Sequence, residues 1–233
     1  MALPKLNSEP KYELIIPSLN KKVKFRPFLV KEEKVLMIAM ESGNQKDALS
    51  AILDTISVCI QDEIDLNALT TFDVEYLFLQ LRSKSVGETA KLSLKCEKCE
   101  TANPVSVKLD DLNINLPDVE SKIQLDANIS VELQWPPFKG LTELDTNNST
   151  ESAFGMMANC IKTIYTQDER ISTSEVSTEE LKEFLESMNA EQFGKLRDYI
   201  DQIPKLKHDV SFSCKNCATS NIITLEGVES FLS

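Results

Sequence analysis

KLSLKCEKCETANPVSVKL (residues 91–109) and HDVSFSCKNCATSNIITL (residues 208–225) share one layout. Each runs from an alternating apolar–polar strand into Cys-x-x-Cys, then a polar turn containing Asn, then a second alternating strand. That is the local form of a zinc knuckle. Two such hairpin tips bring the thiolates of Cys96, Cys99, Cys214 and Cys217 to the corners of a tetrahedron, a closed shell that suits a structural zinc ion. A thioredoxin-like redox pair would be a single motif at a helix N-terminus, and these motifs lie between strands. Structural disulfides are disfavoured in the reducing compartment that the rest of the sequence implies. An iron–sulfur cluster takes the same ligands and stays open at this point. Four thiolates leave no position for water, so the ion is expected to be structural rather than hydrolytic. Lys95, Lys98 and Lys215 flank the ligands, and read either as offsetting the charge of the site or as plain surface lysines. Cys59 and Cys160 sit inside the apolar segments ISVCI and MMANCI and read as small buried hydrophobes.

The two motifs stand much farther apart than the ligand pairs of a compact zinc ribbon, so the site must join remote parts of the chain. Working outward, two further landmarks recur in the same order. An aromatic–X–Pro–Phe corner follows a strand in KKVKFRPF (residues 21–28) and again, as Trp135-Pro136-Pro137-Phe138, in VELQWPPF. Gln-Asp-Glu follows an apolar helix at residues 61–63 and at residues 167–169. The expected architecture is α+β, with residues 11–112 and 121–232 as pseudo-repeated halves of hairpin, helices and Cys-x-x-Cys hairpin. The domain reading is 1–116 and 117–233, each half carrying one knuckle. The shared zinc-ribbon-like site makes them one cooperative unit, since neither half completes it alone.

Element by element, residues 12–16 and 22–26 form a hairpin around Pro17-Ser18-Leu19-Asn20, and Pro27 ends its second strand. Helices are expected over 31–41, stopped by Gly43, and over 46–61, where Ala48, Leu49, Ile52, Ile56 and Cys59 share one face. A third over 72–84, after Thr71 as N-cap, is apolar around most of its circumference and therefore buried or pressed on a partner. Pro117 marks the seam between halves. A second hairpin spans 122–134, a polar turn spans 144–152, and a helix runs over 150–165. Residues 170–178 read as an exposed loop. Helices over 178–187 and 190–202 precede the second knuckle, and the closing GVESFLS forms a short helix.

Composition narrows the function classes. The formal net charge is −12, from 37 acidic and 25 basic residues. Duplex binding draws its affinity from neutralised phosphates, so nucleic acid is an unlikely partner; the basic cluster Lys21, Lys22, Lys24 and Arg26 reads as a solvated strand face. No apolar run approaches the roughly 18 residues of a membrane span, and MALPKLNSEPKYE has no signal core, which points to a cytosol. With 6 glycines, phosphate-cradling loops are not expected. His208 is the single histidine, no nucleophile has a histidine base, and Gln-Asp-Glu reads as a turn motif. Asp110-Asp111 and Glu179-Glu180 read as helix-end charge. No catalytic residue, no small-molecule substrate and no enzymatic activity are expected.

FRPFLVKEEKVLM (residues 25–37), TTFDVEYLFLQLRSKSVGE (residues 70–88) and CEKC (residues 96–99) resemble the baseplate hub subunits, or hub assembly proteins, of T-even-like myophages. The likeness spans about residues 14–110. It implies a non-enzymatic part in building the contractile-tail baseplate, as a fixed hub component or as a factor that helps the hub assemble, through contacts with other baseplate or hub proteins, in the host cytoplasm during assembly and, for a fixed component, in the virion. No catalytic residues come with it. The expected partner surface is Phe28, Lys31, Glu32, Glu33, Tyr76, Phe78 and Arg82, with Trp135 as an anchor or a core cap. The alternative reading is a zinc-ribbon module for nucleic acid or transcription, which would need a basic, aromatic-bearing face beside the metal; a zinc-dependent enzyme is a third.

Overall fold

A computed structural model describes residues 10–142, 149–227 and 230. The polar turn expected after residue 143 and the closing helix fall largely outside them. The chain divides into two compact units. One comprises the residues up to Leu66, Phe72–Asn115 and those from Lys205 onward; the other comprises Asn67–Thr71 and Leu116–Pro204.

In the first unit, β1 (Tyr12–Ile16) and β2 (Lys21–Phe25) pair antiparallel, Tyr12 opposite Phe25 and Ile16 opposite Lys21. Two helices follow, α1 (Val30–Glu41) and α2 (Gln45–Cys59). Gly43, at φ 67, turns the chain between them, and the Asn44 side chain caps α2 by accepting the Lys46 N–H. Past Cys59 the backbone becomes extended: Ile60 bridges Phe25, and the Arg26 N–H donates to the Cys59 carbonyl at 3.0 Å. α3 (Thr71–Ser85) buries Phe72, Val74, Leu77, Phe78, Leu79 and Leu81, as its all-round apolarity requires. Its Asp73, fully buried, accepts the Ser18 N–H at 2.9 Å and the Ser18 hydroxyl, which fastens the β1–β2 turn to the helix. β3 (Thr89–Lys95) and β4 (Ala102–Lys108) form the first Cys-x-x-Cys hairpin.

The second unit is built on a four-stranded antiparallel sheet. Its strands are β5 (Lys122–Gln124), β6 (Ser130–Leu133), β7 (Ile161–Tyr165) and β8 (Arg170–Ser172), in that spatial order. The helices are α4 (Phe138–Thr142), α5 (Ser149–Cys160), α6 (Thr178–Glu186) and α7 (Ala190–Ile200). Val131, Leu133, Ile161 and Ile164 from the sheet meet Met157, Leu181, Leu185, Leu196 and Tyr199 from the helices in one core. Reciprocal capping boxes, Ser177 with Glu180 and Asn189 with Gln192, set the starts of α6 and α7. The last two strands, β9 (Lys207–Ser213) and β10 (Ser220–Glu226), return to the first unit as the second Cys-x-x-Cys hairpin.

Three expectations need correction. The helix over 150–165 ends at Cys160, and IKTIY becomes β7, an inner strand between β6 and β8. Residues 170–178 are not a plain loop, because β8 and a 3-10 turn at Thr173–Glu175 occupy them. The compact units also depart from a 1–116 and 117–233 division. The units change over between Asn115 and Leu116, and the second knuckle clusters with the N-terminal residues. The α+β mixture itself is what the strands and helices form.

One backbone pairing recurs in the two units, in a register that aligns Phe25 with Leu133 and not with Trp135 of the repeated corner. The Gln134 N–H donates to the Cys160 carbonyl at 2.8 Å, and Leu133 pairs with Ile161, as Arg26 does with Cys59 and Phe25 with Ile60. Cys59 and Cys160 thus hold corresponding places, each closing a helix and each buried.

Candidate metal centre

Each knuckle is shaped by backbone hydrogen bonds of the same kind. Cys96 N–H donates to the Thr101 carbonyl at 3.0 Å and Glu100 N–H to the Cys96 carbonyl at 2.9 Å. Cys214 N–H donates to Thr219 and Ala218 N–H to Cys214, both at 2.9 Å. Glu100 and Ala218 carry positive φ angles of 55 and 56, so the two turns have one conformation. The tight turn lifts both sulfurs of each Cys-x-x-Cys to the same side.

The tips meet. All four Sγ atoms lie within 4.8 Å of one another; Cys96 is 3.7 Å from Cys217, and Cys99 is 3.6 Å from Cys214. A tetrahedral ion with metal–sulfur bonds of about 2.3 Å needs sulfur–sulfur edges of about 3.8 Å, so spacing and donor set both fit zinc. Separations of this size are far beyond a disulfide bond of about 2 Å. Cys96 and Cys214 are buried, while Cys99 and Cys217 are partly exposed.

The hairpins are also joined without the sulfurs. Asn103 accepts the Lys215 N–H at 2.8 Å through Oδ1 and donates from Nδ2 to the Thr101 carbonyl at 2.7 Å. Asn221 mirrors it, accepting the Glu97 N–H at 3.0 Å and donating to Thr219 at 2.8 Å. Both asparagines are almost wholly buried, at 3% and 1% exposure. Each therefore reads its own turn with one end and grips the backbone of the other knuckle with the other. Sequence reasoning noticed the Asn of each turn and missed this role; its signal was the shared place, two residues past a Thr that itself follows each Cys-x-x-Cys.

The polar groups around the sulfurs favour thiolates unevenly. The Thr101 hydroxyl, then the Thr101 backbone, draw Cys99 down to about 6. The backbone N–H groups of Cys217 and Asn216 lower Cys214. At Cys217 the Thr219 hydroxyl also pulls downward, and Cys99, burial and Cys96 outweigh it, so that thiol is raised. Binding of a divalent cation at such a cluster displaces the thiol protons that remain.

Elsewhere the expected residues fare differently. Phe28, Glu32 and Phe78 are buried and cannot form a partner surface. Glu32 is drawn inward by Arg26, whose guanidinium lies 3.0 Å away, and accepts the Leu29 N–H at 2.8 Å. Lys31 is exposed, whereas Glu33, Tyr76 and Arg82 are half-buried. Trp135 stacks on Tyr199, ring centres 4.8 Å apart, and packs against the second unit's core, which makes it a core cap. His208 pairs with Leu225 along the second ribbon and is not among the clustered ligands.

Of the two Gln-Asp-Glu segments, the first tethers to β2 and only the second serves a turn. Asp62 accepts the Lys24 N–H and Glu63 the Lys21 ammonium through its carbonyl, while the Glu169 carbonyl accepts the Thr166 N–H at 2.9 Å. Half of the basic cluster is neutralised: Lys22 pairs with Glu13, and Arg26 with Glu32. Lys205, just before β9, and Lys207 pair with Glu226, and the ribbon strands carry Phe212 and His208 as their only aromatic rings. Among the described residues no helix is long and apolar enough to cross a membrane.

Residues 9–233 match the family model described as T4 bacteriophage base plate protein. No curated protein and no solved structure matches the chain.

Proposed function

The chain belongs to the T4 bacteriophage base plate protein family, and from that premise we propose that it is a hub-region subunit of the baseplate held in shape by one structural zinc ion. The family places it as a structural component of the phage tail, with other phage proteins as partners. The observation that carries the reading is the extent of the match, which takes in both knuckles and both compact units. The zinc assignment is supported by the all-thiolate donor set and its tetrahedral spacing. When bound, the ion supplies a cross-link and electrostatic neutralisation, with no coordination position left for chemistry. The function is therefore non-enzymatic, exercised through protein surfaces, first in the host cytoplasm and then in the virion. The nucleic-acid alternative loses support from the formal net charge of −12 and from ribbon strands that carry a single Phe ring.

The test is quantitative mass spectrometry of purified virions beside tail-assembly intermediates. A fixed subunit is expected in both, at a constant ratio to the other baseplate proteins. Recovery from intermediates alone would replace the subunit reading with that of a departing assembly factor.

A further inference from the structure

Helix α1 is covered on one side only. Glu32 and Leu36 are its buried residues, whereas Val30, Val35, Met37, Ile38 and Met40 are exposed, Met37 and Ile38 at 57% each. Scattered apolar residues on a surface are ordinary, but five on one helix form a patch that water disfavours. Within it Lys34, Met37, Ile38 and Glu41 fall at i, i+3, i+4 and i+7, one stripe down the helix. Among the described residues neither Lys34 nor Glu41 has an ion-pair partner, although both are exposed. Glu41 also stands in the last turn, where no basic residue accompanies it and the helix dipole disfavours an anion.

A second copy laid antiparallel accounts at once for the exposed Met37–Ile38 pair and for both unpaired charges. With a two-fold axis between Met37 and Ile38, Met37 of each copy meets Ile38 of the other at the centre. Lys34 of each then lies opposite Glu41 of the other, so two ion pairs close the ends of the apolar contact. Each Glu41 also moves beside the positively polarised first half of the opposing helix. An isologous interface requires such self-complementarity, and a randomly arranged patch lacks it. We propose that the outward stripe of α1 is a self-association surface and that its occupant is α1 of a second copy of this chain. At 12 residues the helix is about 18 Å long, too short for a standard interface of about 800 Å² per partner, so the dimer belongs to the weak, transient class. The inference is independent of the metal and of the baseplate assignment.

Sedimentation velocity on the full zinc-loaded chain, from about 5 to about 500 µM, reads affinities of that class. The wild type is expected to shift toward twice its 26.2 kDa mass as concentration rises. Lys34→Glu or Glu41→Lys alone should weaken self-association about tenfold, since each sets like charges together twice. Mixing the two variants, or combining both changes in one chain, should restore it. Far-UV circular dichroism verifies that each variant is folded. A wild type that stays monomeric throughout overturns the proposal. So does a dimer indifferent to all of these changes, and so does a monomer that instead binds another baseplate subunit through this stripe.

Discussion

Replacing Asn103 by alanine takes the acceptor from the Lys215 N–H, and replacing Asn221 takes it from the Glu97 N–H. Both N–H groups immediately follow a ligand cysteine, so the loss falls on the backbone that aims a sulfur. A buried group left unsatisfied costs about 1–3 kcal/mol, and loss of a group that orients ligands weakens metal binding about 10–100-fold. Asn103→Ala and Asn221→Ala should therefore each speed zinc release to a colorimetric chelator by at least about tenfold, and by similar factors because the two sites mirror each other. Thr224→Ala, which removes the exposed Thr224–Asp209 hydrogen bond on the same ribbon, should leave the rate unchanged. Wild-type release from either asparagine variant would refute the positioning role. The cysteines were legible in advance because ligand chemistry constrains residue type and spacing together. The asparagines were not, because a polar residue in a turn has many ordinary uses, and only the crossing of the two hairpins distinguishes this one. Phe28, Glu32 and Phe78 failed as surface residues for the opposite reason: a local motif carries no information about which of its sides the rest of the fold covers.

At the scale of elements, hairpins with strict alternation and helices with caps were readable, as β1–β2, α6 and α7 show. The misreading of IKTIY has a specific cause. Met157, Cys160, Ile161 and Ile164 lie three and four apart and so continue a helical stripe, while Ile161, Thr163 and Ile164 are β-branched and favour a strand. Tertiary pairing decides it, because β6 and β8 satisfy the backbone of β7 on both edges. The register shifts between Glu132 and Leu133, which leaves Lys162 as the extra residue on β7, outside the core. Urea unfolding distinguishes the inner and outer positions. Ile164→Ala, emptying a buried place beside Val131, should cost about 2–4 kcal/mol. Lys162→Ala, which loses only an exposed ion pair with Glu132, should cost under about 1 kcal/mol. Equal costs would contradict the strand.

For the molecule as a whole, the decisive fact is that the second unit's Leu116–Pro204 segment is inserted between the two knuckles of the first. Sequence revealed that a metal shared by the two Cys-x-x-Cys motifs would bridge distant segments, but not that both segments belong to one compact body; that follows only once the tips are seen to meet. The second unit has its own core around Val131, Leu133 and Ile164, and none of the four ligands lies in it. Metal removal should then act locally. The asparagine contacts run between protein groups and do not use the ion, yet the clustered thiols would lose the charge that compensates them, so the ribbon is the part expected to loosen. Elemental analysis of gently purified protein should find about one zinc per chain, four thiolates making one closed shell. Hydrogen exchange after stripping with a strong chelator should then accelerate in residues 89–108 and 207–226, while β6 and β7 keep their protection. Should β6 and β7 open together with the ribbons, the two units would form a single cooperative structure governed by the metal. Unchanged exchange everywhere would remove the ion from any role in stability.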